Sequence, residues 1–279
     1  MPKPDVLLDG LAFPEGPRWH EGRLYFSDMH GGRVVAVDMA GVAETILEVP
    51  KQPSGLGWLA DGSMLVVSMV DRKVLRFADG DVSIHADLST LAPANCNDMV
   101  VDGRGRAYVG NFGFDMYGGE PWRKTNILAV EPDGRAWIAA DDLSFPNGAV
   151  VTPDNGTLIV GESTAARLTA FDIGTDGKLT NRRVWASLRD IGATPDGICL
   201  DAEGAVWVAC PATDRCVRVA EGGTLLEEVA TGRGTFACAL GGPDGRTLFI
   251  CTADAHEPEV ARTARSGRIE TIAVGTPGA

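Results

Sequence analysis

Short runs of Val, Ile, Leu, Tyr, Phe and Trp, bounded by Gly, Pro, Asp or Asn, recur along the whole chain. Runs of this length are too brief for amphipathic helices and read as short, mostly buried strands. One set comprises Arg23–Asp28, Ser63–Ser68, Arg106–Asn111, Thr157–Glu162, Ala205–Cys210 and Arg246–Cys251. Each begins directly after a turn glycine: Gly22, Gly62, Gly105, Gly156, Gly204 and Gly245. A further run follows in most cases (Arg33–Asp38, Lys73–Phe77, Ile127–Glu131, Arg167–Asp172, Cys216–Ala220), and a last one closes several (Glu44–Val49, Val82–Leu88, Leu225–Ala230).

Upstream of every turn glycine lies a variant of one short stretch, clearest in Phe145-Pro146-Asn147-Gly148. Pro14-Glu15-Gly16, Pro53-Ser54-Gly55, Asn97-Asp98, Pro195-Asp196-Gly197 and Phe236-Ala237-Cys238 stand in the matching places. The centres at 15, 54, 97, 147, 196 and 237 are separated by 39, 43, 50, 49 and 41 residues. Four short antiparallel strands at such a period are the signature of a propeller blade, whose sheet buries both faces only when neighbours stack on it. The sequence therefore predicts an all-β, six-bladed β-propeller over residues 1–279, a continuous repeat without linkers and hence one domain. The sixth repeat is one strand short after Gly267–Val274, and Val6–Leu11 precedes the first centre as Glu44–Val49 precedes the second. The N-terminal segment is thus expected to close the ring as the outer strand of the last blade.

In this arrangement the six centres encircle one mouth of the central channel. Glu15, Ser54, Asn97, Asn147, Asp196 and Ala237 would bring two carboxylates, two amides and a hydroxyl together, which is costly without a positive charge among them. Any one Pro-x-Gly is an ordinary turn signal. Equivalent repeat positions carrying Glu, Asn, Asn and Asp point instead to a divalent cation. An all-oxygen set favours Ca²⁺, with Mg²⁺ and Mn²⁺ next and Zn²⁺ a lesser fit. Glu15, Asn147 and Asp196 are the first ligand candidates, with Asn97 as a fourth ligand or a substrate contact.

The ends of the second strands, Asn111 among them, and the loops that follow fall on the same side. The loop 111–126 is long and aromatic, so Phe112, Phe114, Tyr117 and Trp122 are expected to wall a partly apolar pocket. His256, in the segment 252–266, is a candidate acid or hydrogen-bond donor. Asn97, Asn111, Tyr117, Trp122 and His256 together form the expected substrate-contact set. His20 falls beside a hairpin on the far side.

Composition narrows the remaining choices. A net charge of −13 disfavours nucleic acid and anionic membrane as partners, since both require basic patches. Six cysteines without a Cys-x-x-Cys pair read as small buried hydrophobes in a reducing compartment. Residues 1–5 show no charged stretch leading into an apolar run, and a cytoplasmic location is expected.

Nearly end to end, the chain resembles the senescence-marker-protein, gluconolactonase and luciferin-regenerating-enzyme family of six-bladed propellers. The resemblance rests on Phe13-Pro14-Glu15-Gly16-Pro17 with Leu24-Tyr25-Phe26-Ser27-Asp28, on Asn97-Asp98 with Asp102-Gly103, on Phe145-Pro146-Asn147-Gly148 and on Pro195-Asp196-Gly197. It implies that Glu15, Asn147 and Asp196 hold a divalent cation. Asn97 is implied to contact substrate and, by likeness to the related diisopropylfluorophosphatase-like enzymes, to approach the cation. The implied activity is hydrolysis of lactones, with some members cleaving other esters or organophosphates. One departure stands out: sugar-acid lactonases of the family carry an arginine two places before the Asn97 position, where this chain has Asn95. That loses a planar donor fork suited to polar oxygens.

The expected chemistry is metal-dependent hydrolysis of a lactone or ester, with Asp196 as base or nucleophile. The alternatives are a non-catalytic ligand-binding propeller with a structural cation, and phosphotriester hydrolysis at the same site.

Overall fold

A computed structural model describes residues 3–279. Met1 and Pro2, where the segment read as lacking a targeting signal begins, lie outside the described residues. The chain enters as strand β1 (Asp5–Leu11). Blade 1 is β2 (Pro14–His20), β3 (Arg23–Asp28), β4 (Arg33–Val37) and β5 (Ala43–Glu48). Blade 2 is β6 (Pro53–Trp58), β7 (Met64–Ser68), β8 (Lys73–Ala78) and β9 (Asp81–Asp87). Blade 3 is β10 (Cys96–Val101), β11 (Ala107–Asn111), β12 (Thr125–Val130) and β13 (Ala136–Leu143). Blade 4 is β14 (Pro146–Val151), β15 (Thr157–Glu162), β16 (Arg167–Ile173) and β17 (Leu179–Ser187). Blade 5 is β18 (Ile198–Leu200), β19 (Val206–Cys210), β20 (Arg215–Val219) and β21 (Leu225–Ala230). Blade 6 contributes β22 (Gly234–Gly241), β23 (Thr247–Ala253) and β24 (Gly267–Ala273), and a short helix α1 (Pro258–Ala264) lies between its last two strands.

Each blade is a four-stranded antiparallel sheet, and the sixth is completed by β1 in the order β22-β23-β24-β1. Asp5 pairs with Thr271 and Leu11 with Gly267, so the ring closes as the repeat predicts. Three features differ from the sequence reading. The outer strands β13 and β17 had no distinct apolar run, because most of their side chains are only partly covered. The third is α1, inside a segment read as loop, since seven residues are too few to display a helical period.

The hydrophobic core lies between blades. One cluster joins Val34 and Leu47 of blade 1 to Leu56 and Val66 of blade 2. Another joins Tyr108 and Ile127 of blade 3 to Leu158 and Phe171 of blade 4. A third joins Phe249 of blade 6 to Leu24 and Phe26 of blade 1. Burying such side chains contributes roughly 1.5–3 kcal/mol each, so every blade depends on its neighbours.

The repeated centres have a local cause. Five inner strands carry a register irregularity at the centre, between Glu15 and Arg18, Pro53 and Leu56, Cys96 and Met99, Pro146 and Ala149, and Thr235 and Ala237. A bulge there re-aims one side chain. The glycine that follows accommodates the neighbouring blade: a Cβ on Gly55 would lie 2.1 Å from the Met99 nitrogen, and one on Gly148 2.5 Å from that of Ile198.

Candidate active site at one mouth of the channel

Glu15, Asn97, Asn147 and Asp196, from four different blades, form the floor of one cavity of about 220 Å³. The amides are linked: Asn97 Nδ2 donates to Asn147 Oδ1 at 3.0 Å, and Ser54 Oγ donates to Asn97 Oδ1 at 3.3 Å. Asp196 precedes β18 and is fixed through its backbone. Its N–H donates to Ala209 O at 2.9 Å, while its carbonyl accepts from Gly148 of blade 4 at 3.1 Å. Ser163 Oγ donates to Pro195 O at 2.7 Å and accepts from Asn147 Nδ2 at 3.4 Å, which ties Asn147 to the residue before Asp196.

The floor carries unbalanced charge. The Glu15 carboxylate accepts the Gly16 N–H at 3.0 Å. Burial, then the charges of Asp196 and Asp98, push its pKa well above the usual carboxylate range, against the pull of Gly16 N–H and Arg18. Asp196 is likewise raised, by burial first and then by Asp98, with the Asn147 hydrogen bond opposing. Asp98 is held by Arg18, whose Nη2 donates to its Oδ1 at 3.1 Å and to Met99 O at 2.6 Å. No lysine or arginine lines the cavity among the described residues. Two carboxylates and two amides sharing a confined space without a protein cation fit the donor set of a hard divalent ion. The residues that would hold it are Glu15, Asn97, Asn147 and Asp196.

Two strand ends brace this floor. Asp28 Oδ1 accepts from Ala12 and Phe13 N–H at 2.8 and 3.0 Å, and its other oxygen accepts from Arg33. Glu162 accepts from Ser144 N–H at 2.7 Å and from Arg167 and Thr169. Each carboxylate thereby anchors the backbone just ahead of a floor residue, Glu15 in one case and Asn147 in the other.

The walls are apolar. Phe112, Tyr117 and His256 are among the residues that line the cavity, His256 at its rim. Tyr117 is pushed up to about 12 by burial and by the charges of Glu15, Asp196 and Glu257, so its phenol keeps its proton. Phe114 packs behind the wall, 6.0 Å from Phe145 between ring centroids. The expected substrate contacts of Asn111 and Trp122 are corrected. Asn111 is fully buried and turns into its own loop, donating to Asn126 and accepting from Gly113 and Thr125. Trp122 is 47% exposed and does not line the cavity. His20 stacks on Trp58 at 4.1 Å, away from the site.

The sequence reading missed Phe13, Met29, Met116, Phe145, Pro211 and Phe236 as wall residues. A signal was present, since Phe13 and Phe145 both stand two places before a centre and Phe236 one place before. His30 was also missed. It stacks on Phe13 at 5.0 Å and donates from Nε2 to His256 O at 3.0 Å, which holds the rim. Burial lowers its pKa, consistent with a neutral ring.

All six cysteines are free thiols, and among the described residues no helix is long and apolar enough to cross a membrane.

Comparison with known proteins agrees with this architecture. The family model described as "SMP-30/Gluconolactonase/LRE-like region" matches residues 13–254. Regucalcin of Xenopus laevis is 28% identical over 255 residues, covering 89% of this chain and 85% of its own. A pentonolactonase of Haloferax volcanii is 30% identical over 255 residues, covering 89% and 84%. Among solved structures, a calcium-binding regucalcin from Agrobacterium tumefaciens superposes with a TM-score of 0.83 at 22% identity, covering 99% of this chain and 95% of that one.

Proposed function

The chain belongs to the SMP-30/gluconolactonase/LRE-like family, and on that premise we propose that it is a divalent-cation-dependent hydrolase of lactones or closely related esters. The observation that carries the reading is the pair Glu15 and Asp196, two carboxylates crowded with two amides at the floor of a cavity whose lining holds no lysine or arginine. The pentonolactonase relative supports lactones as the substrate class, and the calcium-binding relative supports Ca²⁺ as the ion.

Held by Glu15, Asn97, Asn147 and Asp196, a divalent cation supplies positive charge that polarises an ester carbonyl and stabilises the oxyanion developing on it. The residues perform the rest. Asp196 accepts the proton of a water as its oxygen attacks the carbonyl carbon, and returns that proton to the alkoxide when the ring C–O bond breaks. The product is a hydroxy acid, with one water consumed. A carboxylate beside a cation is a weakened base, so direct attack by Asp196 on the carbonyl, followed by hydrolysis of the resulting anhydride, is the variant of the same mechanism. Tyr117 and His256, at the rim, offer hydrogen bonds to the leaving oxygen. Ser54 is spent on Asn97 and Ala237 has no donor atom, which leaves one side of the floor open to substrate.

The test is metal analysis of the purified protein, followed by assay of a lactone, an aryl ester and a phosphotriester with and without chelator. Lactone turnover that vanishes on chelation and returns with Ca²⁺ is the expected outcome. Full turnover after complete metal removal would refute it, and turnover of the phosphotriester alone would move the reaction to phosphorus.

A further inference from the structure

The walls of the same cavity constrain what surrounds the reacting bond. Phe13, Phe112, Phe145, Phe236, Met29 and Met116 face it, and the rings are locked against one another. Phe13 meets Phe236 edge-on at 4.6 Å, and Phe112 stacks on Phe145 at 5.0 Å with 12° between planes. Polar atoms are confined to the floor and to Tyr117 and His256 at the rim. The arginines of the adjoining segments are engaged elsewhere: Arg123 donates to Gly113 O and Glu120, Arg233 to Asp254 and Ser266 O, and Arg262 to Glu259. Asn95 does not line the cavity, and its backbone carbonyl accepts from Phe112 N–H.

A polyhydroxylated ring placed here would bury several hydroxyls against carbon with no partners, each a substantial penalty. An alkyl or aryl substituent would instead meet a preformed apolar wall. We infer that the substrate is an apolar lactone, a small ring carrying an alkyl chain or fused to an aryl ring, and that the six wall residues select against polyhydroxylated sugar lactones. The inference rests on the lactonase reading for its reacting group and on the wall for its substituent.

The experiment is a chain-length series of δ-lactones with alkyl substituents of increasing length, compared with glucono-δ-lactone in the Ca²⁺-loaded protein. In parallel, calorimetry follows the binding of the matching alkyl δ-lactams, which resist hydrolysis. Both kcat/KM and lactam affinity are expected to rise about four-fold per methylene, the equivalent of about 0.8 kcal/mol, until the cavity is full, and then fall. Met116→Gln, on the loop, and Phe236→Asn, in the inner wall, are expected to flatten that rise through KM. Two variants are used because Phe236 is 8% exposed and its replacement could compromise folding.

Lactams binding with this increment while no lactone is hydrolysed would leave the apolar site standing and refute the lactonase reading. Efficient hydrolysis of glucono-δ-lactone with a flat alkyl series would do the reverse. A flat lactam series, or no lactam binding at all, overturns the inference.

Discussion

Two kinds of buried carboxylate coexist in this ring. Asp102, Asp201, Asp28 and Glu162 have fully covered side chains, and each meets an arginine: Arg106, Arg218, Arg33 and Arg167 respectively. Backbone N–H groups complete their shells, as when Asp201 accepts from Glu203 and Ala205. Neither Glu15 nor Asp196 has an arginine partner among the described residues; Glu15 accepts the Gly16 N–H, and both are pushed toward the protonated form. Glu162 moves the opposite way. Burial raises it, but hydrogen bonds from Thr169, Ser144 and Arg167 outweigh that and lower its pKa. Four of these carboxylates are thus finished within the protein, and Glu15 and the half-buried Asp196 are left for something external.

The contrast is sharpest in turnover. Asp196→Asn is expected to retain the fold and lose a factor of roughly 10²–10⁴ in kcat, the usual effect of removing an acid or base. Circular dichroism checks the fold, and metal analysis separates lost chemistry from a lost ion. A variant with full turnover and full metal content removes Asp196 from the mechanism.

Stability offers the next largest effect. Asp201→Ala takes from a 7%-exposed Arg218 the nearest of its three carboxylate partners, and from the Glu203 and Ala205 N–H groups their acceptor, and is expected to cost about 3 kcal/mol in urea unfolding. Asp196→Asn, measured in chelator, is expected to be neutral or stabilising, because it relieves repulsion instead of removing the acceptor of a buried arginine and of two backbone N–H groups. Equal losses at both positions would erase the distinction.

The smallest effect is read by pH. Glu15 and Asp196 have folded-state pKa values above their unfolded ones, so the metal-free protein keeps their contribution below the unfolded values and loses it as pH rises through the folded ones. A bound cation favours the ionised forms and reverses this. The Tm gain from Ca²⁺ over chelator is therefore expected to grow between pH 5 and pH 8, approaching the equivalent of about 2.7 kcal/mol at a hundred-fold excess over Kd. A gain independent of pH would disconnect the ion from these carboxylates.

Much of this was legible in the sequence because the propeller writes its geometry once per blade. The bulge that turns Glu15, Ser54 or Asn147 inward requires close approach at the next residue, so Gly16, Gly55 and Gly148 mark the register. What was not legible came from contacts without a repeat. Met29, Met116 and Pro211 converge from separate blades, and no local period records their meeting. Asn111 sits at a repeat position on the correct side, yet its amide is consumed by Asn126 two strands' ends away, a choice made by loop packing. Trp122 belongs to the aromatic loop but lies beyond the turn that carries Tyr117 over the cavity.

The closure of the ring by β1 against β24 has a consequence for biosynthesis. Thr271 meets the Asp5 backbone across 266 positions of sequence, so the seam is sealed only after nearly the whole chain has left the ribosome. Until then the growing array is an open arc whose last-made sheet has an unsatisfied border, and such borders recruit other chains. Assembly of this molecule thus waits on its most distant pairing, and clipping the leading strand would strip the last blade of its outer strand while leaving the blade 6 to blade 1 core of Phe249, Leu24 and Phe26 to hold the ring.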